Sequence, residues 1–241
     1  MKKEVFKKCM FISLLIFLIM CVISIMIKYD VEGEKELPFL IDKILLVSTV
    51  DGIEQDDPTN FWNIAVTQVN DAYIYINKTE NNETTIKEVR LENFNLVQVP
   101  QKGSVHILKP TGELQNLYTY SEHDYFNESI TYLGATIDNM KATEIANTGG
   151  MLGFRTSLGN LGNFISNEEI EVTYDGRLLS NLNVKLEELK FTLGFDIVIV
   201  TSDDISYKGT INLEMPVDNV IEQGSSSVEL TDFSNVVFKR I

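Results

Sequence analysis

Two histidines carry the only imidazoles in the chain, His106 in "SVHILK" and His123 in "SEHDYF", seventeen residues apart. A catalytic zinc needs two or three close His or carboxylate ligands, and neither H-E-x-x-H nor a comparable spacing occurs. His123 stands beside Asp124, a base next to a candidate orienting acid. Adjacent residues on an extended chain point to opposite faces, so the two histidines are expected to be ordinary surface or core residues. Ser157 in "GFRTSLG" lacks the G-x-S-x-G frame of a nucleophile elbow. The glycine-bearing "NTGGMLGFRTSLGNLGNF", residues 147–164, holds neither phosphate-binding pattern and reads as hairpin and bulge positions. Asp56 with Asp57, and Asp203 with Asp204, form acidic loop tips without the D-x-D-x-D-G ladder of a calcium loop. Paired carboxylates for glycoside hydrolysis are defined by their separation in space, which 34 Asp and Glu beyond residue 27 do not reveal. No catalytic, cofactor-binding or metal-binding residue is assigned from the sequence.

Both cysteines, Cys9 and Cys21, lie within one N-terminal apolar run. The rest of the chain therefore has no disulfide, thiolate nucleophile or cysteine-ligated metal. That run, "CMFISLLIFLIMCVISIMI", covers residues 9–27 without a charge, and twelve of its nineteen residues are Leu, Ile, Val or Phe. As a helix it is ~28 Å long, matching a bilayer's hydrocarbon core of about 30 Å. It is longer than a signal-peptide core, and its exit, "SIMIKYDVEG", offers no small-residue cleavage site. Met20 and the apolar "VISIMI" rule out lipoprotein processing at Cys21. The expectation is an uncleaved signal anchor in contact with membrane lipid. Lys2, Lys3, Lys7 and Lys8 precede the run, which places residues 1–8 in the cytoplasm and residues 28–241 outside the plasma membrane.

Past the run, 214 residues carry 34 Asp plus Glu against 16 Lys plus Arg. So acidic a chain has no basic face for nucleic acid or anionic headgroups. A polar juxtamembrane segment, 28–36, leads into a domain at 37–241. There, period-two alternation dominates. "DAYIYIN" sets Ala72, Ile74 and Ile76 against Tyr73 and Tyr75, "EIEVTY" (169–174) and "TINLEM" alternate likewise, and "FTLGFDIVIV" reads as a central strand returning through "TSDDIS" into "YKGTINLEM". "KILLVSTV" and "FWNIAVTQV" read as strands split by "DGIEQDDPTN", with Trp62 filling the core. Helical signal is thin: "NVKLEELK" capped by Asn183, and a turn or two in "DNMKATEIA". The fold class expected is all-β, an antiparallel β-sandwich of immunoglobulin-like or jelly-roll topology behind one transmembrane helix. A division into two smaller sandwiches near residues 101–125 is the lesser option.

"GGMLGFRTSLGNLGNFISNEE", "YDGRLLSN", "LEELKFTLGFDIVIV" and "INLEMPVDNVIEQG", with "LPFLIDKILLVSTVDG" after the anchor, resemble uncharacterised single-pass membrane-anchored proteins of low-GC Gram-positive bacteria. The resemblance implies localisation and no activity. The expected role is a non-catalytic binding or interaction module of the cell envelope, meeting an envelope protein or cell-wall glycan. The alternative is a carbohydrate-binding or carbohydrate-active domain, using Tyr73 and Tyr75 near Tyr118, Tyr120 and Tyr125.

Overall fold

A computed structural model describes residues 2–80, 83–112, 118–138 and 140–241. Helix α1, Lys2–Glu32, contains the apolar run and extends beyond it on both sides. Its continuation past residue 27 is supported by Lys28 reaching Glu32 at 3.9 Å, one turn on. From Phe6 to Glu32 the helix is long and apolar enough to cross a membrane.

Two sheets follow, and both are antiparallel apart from one short parallel pair. The first runs β11 (Ser225–Leu230), β1 (Phe39–Glu54), β2 (Trp62–Lys78), β7 (Gly149–Gly159), β4 (Ser104–Leu108), with β8 (Asn163–Ser166) also on β2. The second runs β12 (Lys239–Arg240), β10 (Ser206–Glu214), β9 (Thr192–Thr201), β3 (Ile86–Gln98), β5 (Ile130–Ala135), β6 (Glu144–Ala146). The parallel pair is β5 with β6. In each sheet, strands from before residue 101 pair with strands from after 125, so the chain does not divide there.

Alternation placed the core side chains correctly. Ala72, Ile74 and Ile76 are buried while Tyr73 and Tyr75 are not, and Phe191, Leu193, Phe195, Ile197 and Ile199 are buried along β9, which is a central strand. Across the sandwich, Phe154 of β7 meets Phe195 of β9 edge-on at 5.5 Å and Phe94 of β3 at 5.8 Å. One patch of this interior is polar. Asn70 accepts from Ser48 Oγ at 2.5 Å and Gln68 Nε2 at 2.9 Å, and its amide donates to Thr156 Oγ1 at 3.0 Å. It thereby links β1, β2 and β7.

Several local expectations give way. "EIEVTY" is not a strand: Ile170 and Tyr174 are exposed, and β2 at that end is already paired with β1 and β8. Alternation makes a strand only where a ladder partner is free. Trp62 is half-buried at the end of β2 rather than central, its Nε1 donating to Ile170 O at 2.9 Å. Asn183 does not cap "NVKLEELK". It turns the chain in a left-handed conformation, φ 53°, after α2 (Gly176–Asn181), and α3 (Leu186–Leu189) starts later, with Lys185 N–H donating to the Glu188 carboxylate at 2.8 Å. "DNMKATEIA" yields β6 instead of a helical turn, Ile145 and Ala146 being drawn into the core beside β5. Most of 147–164 is the strand β7, Gly149–Gly159, rather than a hairpin.

The base of the domain grips the helix end. Gly33, at φ +69°, ends α1 by donating to Tyr29 O at 2.8 Å, a left-handed stop that favours glycine. Glu34 N–H donates to Phe238 O at 2.8 Å, Lys239 pairs with Asp30 at 2.9 Å, and Arg240 N–H donates to the Tyr29 hydroxyl at 2.9 Å. The two sheets are therefore fixed to α1 through both ends of the domain.

Candidate functional site

Two regions of the first sheet stand out: its end remote from α1, and the outer face of β2, β7 and β4. β1 starts beside α1 and runs sixteen residues, roughly 50 Å of strand, before the chain turns into β2. The turn therefore lies at the end of the sandwich remote from the helix.

That remote tip is built from residues 51–63, β8 and the irregular stretch after it. Asp57 organises the turn, accepting from Thr59 N–H at 2.9 Å, Thr59 Oγ1 at 2.5 Å, Asn60 Nδ2 at 2.7 Å and Asn63 Nδ2 at 3.0 Å. These bonds, the Thr59 hydroxyl first, hold its carboxyl well below the usual carboxylate range. Asp57 is thus spent on the turn. Ile53, Phe61, Ile165, Ile170 and Tyr174 are exposed around it, and Phe61 packs edge-on against Trp62 at 5.4 Å. Residues 51–63 and 163–174 hold seven carboxylates and no Lys or Arg. Arg177, paired with Asp175, is the cation beside Glu171, and an apolar surface so dominated by charges of one sign is uncommon on a solvated protein. The second acidic pair is also structural, since Thr201 Oγ1 donates to Asp203 at 2.5 Å and Lys87 pairs with Asp204. Among the described residues no cluster of His, Cys, Asp and Glu is arranged to hold a metal ion.

The other region is the outer face of β2, β7 and β4. A narrow hairpin covers it, with Thr111 N–H donating to Thr119 O at 2.7 Å and Ser121 N–H to Lys109 O at 2.9 Å. It lays Tyr118 and Tyr120 on the sheet. Gly153 makes room, because a Cβ there would stand 3.1 Å from the Tyr73 ring and 3.2 Å from that of Tyr118. Tyr73 meets Tyr118 edge-on at 5.8 Å, and Tyr118 stacks on Tyr120 at 6.3 Å. Arg155 lies over Tyr120 at 4.2 Å and grips Asp71, its cross-strand neighbour, through two bonds of 2.7 and 2.8 Å. Burial pushes the Tyr118 hydroxyl up to about 12 and raises that of Tyr120, where the Asp71 charge adds to it. The Tyr120 hydroxyl sits beside Asp71 without the alignment of a hydrogen bond. Tyr75 has Lys43 above it at 5.2 Å, and Tyr125 has His123 against it at 4.8 Å. These rings spend faces and edges on protein neighbours.

Beside this cluster the histidines separate. His123 Nε2 lies 2.8 Å from Glu128 Oε1, and Asp124 turns instead to His106, whose Nδ1 is 3.0 Å from Asp124 Oδ2. The Asp124 Oδ1 atom accepts from Ile107 N–H at 2.9 Å and Phe126 N–H at 3.0 Å. Burial opposes its ionisation, but the Ile107, His106 and Phe126 bonds outweigh that and keep its carboxyl below the usual value. On the other side of the ring, His106 Nε2 is 3.1 Å from Ser104 Oγ, which also accepts from Asn160 Nδ2 at 2.7 Å. Sequence reading passed over Ser104, Asp124 and Asn160 as partners of His106. The spacing Ser104-x-His106 on a strand was the available signal, since period two sets both on one face.

No known protein family, curated protein or solved structure matches the chain. Its class is that of its own architecture: a sandwich of two mostly antiparallel sheets with one N-terminal helix long and apolar enough to cross a membrane.

Proposed function

We propose that the chain is a single-pass protein of the bacterial plasma membrane whose acidic domain works outside the cytoplasm as a binding module, meeting an envelope partner through the remote tip. The anchor is α1, uncleaved and in lipid, with the lysines at 2, 3, 7 and 8 inside. The observation that carries the binding role is the tip itself, where Ile53, Phe61, Ile165, Ile170 and Tyr174 are exposed among seven carboxylates, with Arg177 beside Glu171 already paired to Asp175. A second copy of this tip would be repelled. The complementary partner is a cationic protein segment with apolar side chains, the apolar contacts supplying affinity and the rim charges the choice of partner. The grip of the domain on Tyr29, Asp30 and Gly33 supports a fixed stance, with the tip held away from the bilayer.

Protease added to intact cells is expected to digest residues 37–241; a protected C-terminal half would reverse the orientation. The tip has its own reporter, because Trp62 is the single tryptophan. In full-length protein in detergent micelles, a Leu/Lys amphipathic peptide is expected to shift Trp62 emission with salt-sensitive affinity. Phe61→Ser with Ile165→Ser, or Glu168→Lys with Glu169→Lys, should weaken it about tenfold or more, equivalent to ~1.4 kcal/mol. An unresponsive Trp62, or equal affinity for both double variants, would refute the tip as the binding surface.

A further inference from the structure

The array around His106 has a property that the docking role does not use: its protons have only one arrangement. An ionised Asp124 can only accept, so a neutral His106 must carry its proton on Nδ1, facing Asp124 Oδ2 at 3.0 Å. Nε2 is then a bare lone pair, 3.1 Å from Ser104 Oγ. The Asn160 amide nitrogen can only donate, and it donates to Ser104 Oγ at 2.7 Å. Ser104 is left to direct its own proton at His106 Nε2. A base held by an acid and a hydroxyl held by the base are the parts of a serine nucleophile, and the Asn160 amide fixes the hydroxyl oxygen in place.

Approach to Ser104 is open. Its cross-strand neighbour is Gly159, and a Cβ added there would meet nothing within 4 Å. The two supporting elements are also fixed. Asp124 is pinned through Oδ1 to the backbone of Ile107, which follows His106 on β4, so acid and base cannot drift apart independently. Asn160 holds a left-handed turn at φ 59° immediately after β7, where asparagine is among the few residues other than glycine that settle readily.

We propose that Ser104 is an activated nucleophile, with His106 as its base, Asp124 as the residue positioning that base and Asn160 as the residue positioning the hydroxyl, and that it cleaves small, unhindered acyl esters. In acylation the Ser104 Oγ–carbon bond forms as the hydroxyl proton passes to His106 Nε2. The carbonyl oxygen takes up the negative charge, exposed to solvent on the open face. The intermediate collapses, the ester C–O bond breaks, and the alcohol leaves with the proton from His106. Water, deprotonated by the same nitrogen, then releases the carboxylic acid and restores Ser104. No oxidant, metal or cofactor enters this balance. Esters are the substrate class because an open sheet face offers no walls to twist an amide, whereas an alkoxide leaves once it is given one proton.

The test is covalent labelling of the full-length protein in detergent micelles with a fluorophosphonate probe, mapped by peptide mass spectrometry, alongside turnover of p-nitrophenyl acetate. The expected adduct is on Ser104 and absent from Ser157, the neighbouring hydroxyl opposite His106 on β7. Ser104→Ala should abolish both signals, and His106→Gln should lower the labelling rate about 100-fold or more, the usual share of a general base. Asp124→Asn is the discriminating variant. Its side-chain oxygen can still receive the Ile107 and Phe126 N–H groups, so the loop should keep its thermal melting. Its amide would instead force the His106 proton onto Nε2, towards Ser104, and labelling should fall with the fold intact. Labelling scattered over many serines, a rate unchanged in His106→Gln, or an adduct without ester turnover above the Ser104→Ala background would each overturn the proposal.

Discussion

Asn70→Ala is expected to destabilise the domain by about 3–5 kcal/mol, seen as a drop in the thermal midpoint on the order of 10 °C. Asn70 is fully buried between the sheets, and so are Ser48, Gln68 and Thr156. Its truncation leaves the Ser48 hydroxyl, the Gln68 amide and the Thr156 hydroxyl to find partners in an apolar interior, each orphan costing about 1–3 kcal/mol. Gln68 is already strained in this sense, since its Oε1 accepts no hydrogen bond. Ser48→Ala provides the contrast. It removes one donor, leaves Asn70 Oδ1 satisfied by Gln68, and should cost only about 1 kcal/mol. Thermal unfolding of both variants in the same detergent checks the ordering. An Asn70→Ala midpoint within 2 °C or so of the parent would mean that the four side chains re-pair locally rather than depend on one hub. The placement also bears on register. A slip of one residue between β1 and β2 would turn Asn70 outwards and bring Asp71 or Val69 to the polar patch, so the network penalises every pairing but the observed one.

Asn70 also marks what the sequence could not disclose. Period two identified the inward faces of β2 and β9 because large apolar residues recur there at every second position, and the rule reads only that. It says nothing about whether a polar residue at an inward position is a mistake or a hub, which depends on Ser48 and Thr156 arriving from strands 22 and 86 residues away. The same limit governs "EIEVTY", where the pattern is right and a free partner strand is missing. Helix signals fared worse in 176–189: "NVKLEELK" keeps only α3, which starts after Lys185 rather than Asn183, and α2, capped by Asp175 accepting from Arg177 N–H at 2.8 Å, had no counterpart in the sequence reading. Leu178, Leu179 and Val184 are buried there, so tertiary packing and not a cap residue alone sets where the helices lie. The apolar helix was legible, because nineteen uncharged residues make a helix long and apolar enough to cross a membrane without any tertiary partner. The Ser104 array sits between these cases. Two of its members share a strand and could be paired on paper, while Asp124 and Asn160 are brought in by turns whose course no local rule fixes.

Phe154→Ala should have the second large effect, about 3–5 kcal/mol, because it deletes the ring that joins the two sheets. Phe154 belongs to β7, Phe94 and Phe195 to β3 and β9, and the three centroids lie 5.5–5.8 Å apart. Neither sheet can close this gap by a side-chain shift, since the backbones on both sides are held in their ladders. A cavity therefore remains and adds to the lost burial. The triangle predicts non-additivity. Once Phe154 is gone, Phe195 has lost its edge-on partner, so Phe195→Ala in that background should cost less than in the parent, by about 0.5–1.5 kcal/mol for the lost aromatic pair. The consequence reaches the outer face, because Gly153 and Arg155 flank Phe154 and carry the Tyr118 seat and the Asp71 grip. Hydrogen exchange at residues 151–157 should quicken in Phe154→Ala while residues 51–54, which pair with 64–67 near the turn of the β1–β2 hairpin, keep their protection. Uniform loss along the whole sheet would show that the phenylalanine triangle stabilises the fold globally and does not preferentially brace β7.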